Sequence, residues 1–303
     1  MPRALACPAS LKGVLSACEA SAALAAGLRE WSDAEEMPVA DGGEGTLDVL
    51  HAALGGEWRM YDIHDAFGRP RRAKALWNGP SVAVEAAEAI PLDSSRLDPI
   101  AASSRGLGEL IAQLDDPTEL LVCLGGTANV DGGAGMLELV RALPARTTVA
   151  CDVDAPLLDA VRVFGSQKGA TPEQWPELEA RLTRLASYAD LPGGGAAGGL
   201  GAAFASLGAE LRPGAPMILE LLGFEPARYD LVVTGEGTVD ATTLRGKAPG
   251  EVARRCRESR VRCIVFGGRV REQIPGAETV ELSGDPARAR DDLARLGRLS
   301  AAA

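Results

Sequence analysis

The chain is poor in histidine, lacks any paired cysteine motif and contains no long apolar run. Each shortage removes a class of function. Two histidines, His51 and His64, among 303 residues are too few for a usual histidine-rich metal centre. His51 falls in a helical pattern and reads as a surface residue. The six cysteines (Cys7, Cys18, Cys123, Cys151, Cys256, Cys263) form no Cys-x-x-Cys pair. Cys7, Cys123, Cys151 and Cys263 lie inside apolar, strand-like runs, which suits free core thiols in a reducing compartment better than zinc ligands or disulfides. No apolar run reaches the roughly 18 residues of a membrane span, and the N-terminus opens into a strand without a signal-peptide pattern. The expectation is a cytoplasmic protein with no membrane partner. Positive charge is also in deficit: 31 Lys and Arg stand against 42 Asp and Glu, for a net charge of −11. That balance argues against a nucleic-acid partner, although loop amides and single lysines still bind anions at short range.

Familiar signatures are missing too. The absence of GxxxxGK[ST] excludes a P-loop, and the absence of HExxH and GxSxG removes the motifs of zinc metalloproteases and α/β-hydrolases. Gly193, Gly195 and Gly198 match GxGxxG in form only, because no strand precedes them.

What the chain has in excess is glycine, 36 residues gathered in discrete clusters. In Val39-Ala40-Asp41-Gly42-Gly43-Glu44-Gly45-Thr46 an apolar lead-in enters an acidic glycine turn, and a helical pattern begins at Leu47. Such turns bring backbone N–H donors close to a bound group, and a helix start behind them adds partial positive charge. The same device recurs from Leu124 to Met136, through Gly125, Gly126, Asp131, Gly132 and Gly133. It appears again at Val233-Thr234-Gly235-Glu236-Gly237-Thr238-Val239-Asp240.

Between these clusters strands and helices alternate. Arg3–Pro8 reads as a buried strand, and Ser16 with Glu19 makes a capping box before a helix through Leu24, Leu28 and Trp31. Leu47, Leu50 and Leu54 continue a second helix that Gly55-Gly56 ends. Short extended runs, including Ser81–Glu85, fill 61–88, and Leu107, Leu110, Ile111 and Leu114 mark an amphipathic helix. Glu119–Leu124, Thr147–Cys151, Asp230–Thr234 and Val261–Phe266 read as buried strands. Thr171-Pro172-Glu173-Gln174 opens a helix expected to bury Trp175, Leu178, Leu182 and Leu185. A further helix is expected to use Phe204, Leu207 and Leu211, and a last one runs from Asp285-Pro286 through Leu293 and Leu296. The alternation predicts an α/β fold with a parallel sheet and helical crossovers. In such sheets ligands bind beyond the carboxyl ends of the strands, where all three glycine clusters, Ser10, Lys12 and Asp152 fall. Carboxylates, amides and lysines without an evident thiol or histidine nucleophile suit phosphoryl transfer, which is largely positioning and charge neutralisation. The plainer readings stay beside this one: Asp41 and Glu44 as turn residues, Asp131 and Asp240 as helix caps, Gly198–Gly201 as a close-packing device.

These residues bring a family into view. Val39–Thr46, Asp131-Gly-Gly-Ala-Gly-Met136 and Cys151-Asp-Val-Asp154 resemble segments of the type I glycerate kinases. So do Phe164-Gly-Ser-Gln-Lys-Gly-Ala-Thr-Pro172, Gly195-Ala-Ala-Gly-Gly-Leu-Gly201, and Thr234-Gly-Glu-Gly237 with Gly246-Lys-Ala-Pro249. The matches keep the family's order and span nearly the whole chain. The resemblance implies an ATP- and Mg2+-dependent kinase that phosphorylates D-glycerate, usually at the 2-hydroxyl. It also implies two α/β domains with the active-site cleft between them. One is flavodoxin-like with a parallel sheet, built discontinuously from 1–60 and 225–303; the other is a smaller mixed α/β domain over 61–224. A homodimer is compatible with it.

By the same resemblance Asp41, Asp131 and Lys12 are the expected catalytic residues, with Ser10, Lys12, Gly42, Gly43 and Lys168 binding the hydroxy acid. Gly125, Gly126, Gly132, Gly133, Gly198, Gly199, Gly235 and Lys247 would surround the nucleotide, and Glu44, Asp152 and Glu236 would hold the metal. The chain departs from the family at Ala9, Val130, Ala155 and Thr238, where the family carries Asp, Asn, Asn and Arg. Those changes leave open a catalytically weakened binding or regulatory protein, or a kinase for another small hydroxy acid.

Overall fold

The computed structural model describes residues 1–151, 153 and 155–301. Its strands, in chain order, are β1 (Arg3–Ala6), β2 (Asp33–Glu36), β3 (Glu57–His64), β4 (Pro70–Asn78), β5 (Ser81–Glu85), β6 (Glu119–Cys123), β7 (Arg146–Cys151), β8 (Glu210–Pro213), β9 (Leu231–Val239), β10 (Arg262–Val270) and β11 (Glu278–Glu281). They form two sheets, one in each of two units. The first unit comprises Met1–Asp41, Asp48–Ala53 and Ala215–Ala303; the second comprises Gly42–Leu47 and Leu54–Gly214. One division falls inside the first glycine motif, between Asp41 and Gly42.

The first unit's sheet runs β11-β10-β9-β1-β2, and every neighbouring pair is parallel. Counted within the unit this is the order 2-1-3-4-5, the flavodoxin-like arrangement. Its central strands read as unbroken apolar runs because both faces are covered. Ala4, Ala6, Val233, Ile264 and Phe266 pack on the side of helices Ala17–Leu28 and Ala289–Leu299. The alternate residues Leu5, Cys7, Val232, Cys263 and Val265 join Val252, Ala253 and Cys256 of helix Ala248–Ser259. On the side away from β9, β1 pairs with the acidic Asp33–Glu36, an edge strand whose polar side chains conceal its pairing.

Helix Ala17–Leu28 starts as its residues dictate. Ser16 Oγ accepts the Glu19 N–H at 3.2 Å, and Glu19 Oε2 accepts the Ser16 N–H at 2.9 Å. This helix crosses Ala289–Leu299 through two glycines. A Cβ on Gly27 would sit 2.0 Å from the Ala294 carbonyl oxygen, and one on Gly297 would sit 2.6 Å from that of Leu24.

The second unit's sheet runs β3-β4-β5-β6-β7-β8, antiparallel over its first two pairs and parallel thereafter. The β3–β4 hairpin turns on Asp65, whose Oδ1 accepts the N–H groups of Phe67 and Arg69 at 2.8 and 2.9 Å. Ile90, Leu107, Leu110, Leu120, Val122, Met136, Val149, Leu200 and Phe204 fill its core. Three expectations change here. Leu211 is not helical but lies in β8, because helix Ala196–Ser206 closes when the Ala209 N–H returns to the Phe204 carbonyl at 3.1 Å. Leu207 is the cap of that helix rather than part of its body. Trp175 is only half-buried, with its indole N–H unpartnered, while Leu178 and Leu182 are fully covered.

Replacing Gly297 with alanine forces a methyl against main-chain atoms that cannot swing aside. The expected cost is about 1–3 kcal/mol, read as a lower urea midpoint; an unchanged midpoint would refute the close crossing.

Candidate active site

In the first unit the switch point of the sheet lies between β1 and β9, and the loops leaving those strands are stitched together. The Cys7 N–H reaches Val233 O at 2.8 Å, the Ala9 N–H reaches Gly235 O at 2.9 Å, and Thr234 Oγ1 donates to Cys7 O at 2.6 Å. The Val39 N–H bonds Pro8 O at 3.0 Å, so the segment carrying Asp41 leaves from the same edge. Beyond Ser10, Leu11 and Leu15 exchange backbone hydrogen bonds at 2.9 and 3.0 Å and hold Lys12 exposed on the turn between them. The Lys12 backbone lies against Gly237, whose absent Cβ would be 3.8 Å from the Lys12 nitrogen.

Glu236 is the most constrained charge of this group. It is 9% exposed; Oε1 accepts from Thr243 Oγ1 at 2.7 Å and Oε2 from Lys247 Nζ at 2.9 Å. Burial pushes its carboxyl above the usual carboxylate range, Lys247 and Thr243 pull it back, and the Asp41 charge adds to the rise. Lys247 is the cap residue of helix Ala248–Ser259, with Pro249 in the first turn, and its ammonium is turned to Glu236. Asp240 accepts from the Thr242 N–H and Oγ1 at 2.8 and 2.6 Å, which makes it a turn residue. Ser10, Lys12, Asp41, Gly235, Glu236 and Lys247 thus share one strand-end edge.

The remaining candidates belong to the second unit. Gly42 and Gly43 open the turn into helix Thr46–Leu54: Gly42 O accepts the Gly125 N–H at 3.2 Å, and Gly43 O accepts Thr46 Oγ1 at 2.7 Å. Glu44 is exposed, and Gly126 O accepts the Leu92 N–H at 2.8 Å. Asp131 is buried and accepts five hydrogen bonds: from Ser104 N–H and Oγ, Asn129 Nδ2, Gly133 N–H and Gly135 N–H, at 2.8–3.2 Å. That occupancy makes it the organiser of its glycine loop. Lys168 is 4% exposed and donates to Asn129 O at 2.8 Å and Thr127 Oγ1 at 3.3 Å. Gly198 meets the backbone of the Asp131 loop, since a Cβ there would lie 2.2 Å from Asn129 O, and the Gly132 N–H bonds Gly198 O at 2.9 Å. Gly199 and Gly133 sit in that same contact, so packing accounts for these glycines before any ligand is considered. Asp152, expected at the metal, and Asp154 lie outside the described residues.

The substitution at Val130 has a physical reading. Its side chain is fully buried in the core, and the polar duty falls to Asn129, whose Nδ2 donates to Asp131 Oδ1 at 2.9 Å and Ala197 O at 3.1 Å. Thr238 lies in β9 and pairs with Arg269. Nothing in the structure explains Ala9 or Ala155.

The model of the glycerate kinase family matches residues 4–146 and 138–284. The chain belongs to the glycerate kinase family. It is similar to the glycerate 2-kinase of Escherichia coli (strain K12), 36% identical over an alignment that covers 81% of this chain and 80% of that protein. It is also similar to the glycerate kinase of Bacillus subtilis (strain 168), 34% identical over 87% of this chain and 84% of that one. A crystal structure provisionally assigned to glycerate kinase 2 of Salmonella typhimurium LT2 superposes with a TM-score of 0.83 at 31% identity, covering 99% of this chain and 97% of that one. Family membership makes the chain a kinase, a transferase of phosphoryl groups. Among the described residues no helix is long and apolar enough to cross a membrane.

Sequence reasoning overlooked two residues of this kinase that the structure brings forward. Thr243 had no signal beyond its closeness to Asp240. Glu85 did have one, a lone acid at the carboxyl end of the apolar run Ser81–Val84. It is 3% exposed, and burial pushes its carboxyl up to about 7.

Two outcomes follow from these environments. Asp131→Ala strands several buried donors and is expected to cost about 3 kcal/mol or more, seen as a lower urea midpoint; a midpoint within error of the parent would remove its organising role. Folding raises the Glu85 carboxyl from 4.5 to about 7, so its contribution to stability is full below pH 4.5 and is lost as pH rises through 7. Relative to Glu85→Gln, the parent should lose on the order of 3 kcal/mol between pH 4.5 and 8. Parallel pH curves for the two proteins would refute this.

Proposed function

We propose that this kinase transfers the γ-phosphoryl group of ATP to the 2-hydroxyl of D-glycerate. The observation that carries the reading is the charged group at the switch point of the flavodoxin-like sheet, where Asp41, Glu236 and Lys247 interact beside the exposed turn bearing Lys12. Family membership supports ATP and glycerate as the substrates, and the 2-kinase of Escherichia coli among the similar proteins supports the 2-hydroxyl.

Lys12, with Ser10, takes the substrate carboxylate; Lys247, at a helix N-terminus, meets phosphate oxygens. Asp41 accepts the hydroxyl proton as the substrate oxygen bonds to the γ-phosphorus and the bond to the β-phosphate oxygen breaks, releasing ADP. Asp41 is given this role because its segment leaves the same strand-end edge and its charge acts on Glu236 there. Glu236 orients Lys247. Magnesium accompanies nucleotides in such reactions. Among the described residues no group of three or more His, Cys, Asp or Glu side chains is gathered for a metal ion, and Glu236 is committed to its cation. Asp152, also expected at the metal, lies outside the described residues, and the steps above are those of the protein's own side chains.

A coupled assay for ADP release with ATP, Mg2+ and D-glycerate tests the reading, with the product's phosphate position read by NMR. Lys12→Ala and Asp41→Asn are each expected to lower kcat/KM by about 10²-fold or more. Turnover with a different hydroxy acid alone would reassign the substrate, and calorimetric ATP binding without turnover on any such acid would favour a binding protein.

A further inference from the structure

Glu85 ends β5, and its carboxylate leaves the sheet to grip the first glycine turn. Oε1 accepts the Leu47 N–H at 2.6 Å, and Oε2 accepts the Gly45 N–H at 3.3 Å. These amides flank Thr46, the first residue of helix Thr46–Leu54. At the other end of the turn Gly42 O accepts the Gly125 N–H at 3.2 Å, and across the middle the Thr46 N–H returns to Gly43 O at 3.3 Å. The segment from Gly42 to Leu47 is thus held at both ends by strand-end groups of its own unit.

We propose that Glu85 is a positioning residue for phosphoryl transfer, its carboxylate holding the Gly42–Leu47 turn in the geometry that meets substrate. The proposal rests on the kinase reading above. A structural cap alone is a poor account of this residue. A helix start needs only a short polar side chain next to it in sequence, and Gly45 stands in that place. Here the acceptor comes from 40 positions away and is buried, which is costly for a carboxylate. A neutral amide would hold one of the two N–H groups without that cost. The charged groups acting on Glu85 divide: Glu88, three residues on, disfavours its ionised form, Lys74 of β4 favours it, and the two amides favour it as well. Burial outweighs them and brings the carboxyl to about 7. Stability and catalysis therefore run in opposite directions over one pH window. The folded chain favours protonated Glu85, whereas the two-amide grip is strongest when both oxygens are charged acceptors.

The experiment compares the full-length parent with Glu85→Gln and Glu85→Asp. The parent's kcat/KM for glycerate should rise as pH increases through about 7. Glu85→Gln should flatten that rise and lower kcat/KM at pH 8 by about 10- to 100-fold, while its thermal midpoint at pH 8 stays level or increases. Glu85→Asp, one methylene too short, should lose activity to a similar degree. Hydrogen exchange of the peptide spanning 42–48 should be faster in both variants at pH 8. Unchanged exchange there, or an active parent with Glu85→Gln equally active and equally pH-dependent, overturns the role of Glu85. A parent that releases no ADP with glycerate or any other small hydroxy acid overturns the reading on which the proposal rests, and the positioning role with it.

Discussion

Parallel strands end in loops whose amides and carbonyls have no strand partner, and satisfying those groups under burial is the constraint on which this molecule depends. Both sheets meet it at their carboxyl edges, and they meet it with carboxylates. Asp131 collects amides and a hydroxyl into a five-fold knot, Glu85 takes two amides of the glycine turn, and Glu236 takes a threonine hydroxyl and an ammonium. Burial disfavours the charges on Glu85 and Glu236, and their donors offset part of that cost. The donors in turn are fixed by the strands and helices behind them, so loop geometry and sheet packing are one problem.

The three carboxylates divide by what they face. Asp131 sees neutral donors and organises backbone. Glu236 sees a lysine and a second acid, Asp41, and belongs to a charged group at the flavodoxin-like switch point. Glu85 sees amides, with Glu88 and Lys74 in its field, and is poised near neutrality. Several of the glycines in the loop motifs serve to let backbones touch. The Val130 substitution fits this division. A valine enters the core, and the adjacent Asn129 supplies the hydrogen bonds that keep the Asp131 knot closed.

Much of the fold was legible because its signals are local. The apolar runs at Glu119–Leu124 and Asp230–Thr234 could only be strands buried on both faces, and the Ser16–Glu19 box announced its helix. The acidic edge strand Asp33–Glu36 was not legible, since an edge needs no apolar side chains, and neither was β8, where Leu211 kept a helical spacing past the end of its helix. Lys12, Asp41, Glu236 and Lys247 were singled out because motif and strand-end position coincide, and they do lie on one strand-end edge. Glu85 was passed over although an acid closing an apolar strand was a signal, because no glycine motif drew attention to it.

By itself the sequence determined the alternation of strands and helices, the parallel character of the central strands and the strand-end location of the glycine turns. These follow from side-chain period and from the few backbone conformations that glycine-rich turns allow. Only tertiary structure decided which acid answers which donor. Glu85 lies 40 positions from Gly45, and Asp131 lies 27 positions from Ser104. Pairings at that range are set by strand order and by the energetic demand that no buried charge go unmatched, and neither quantity is written in any one stretch of chain.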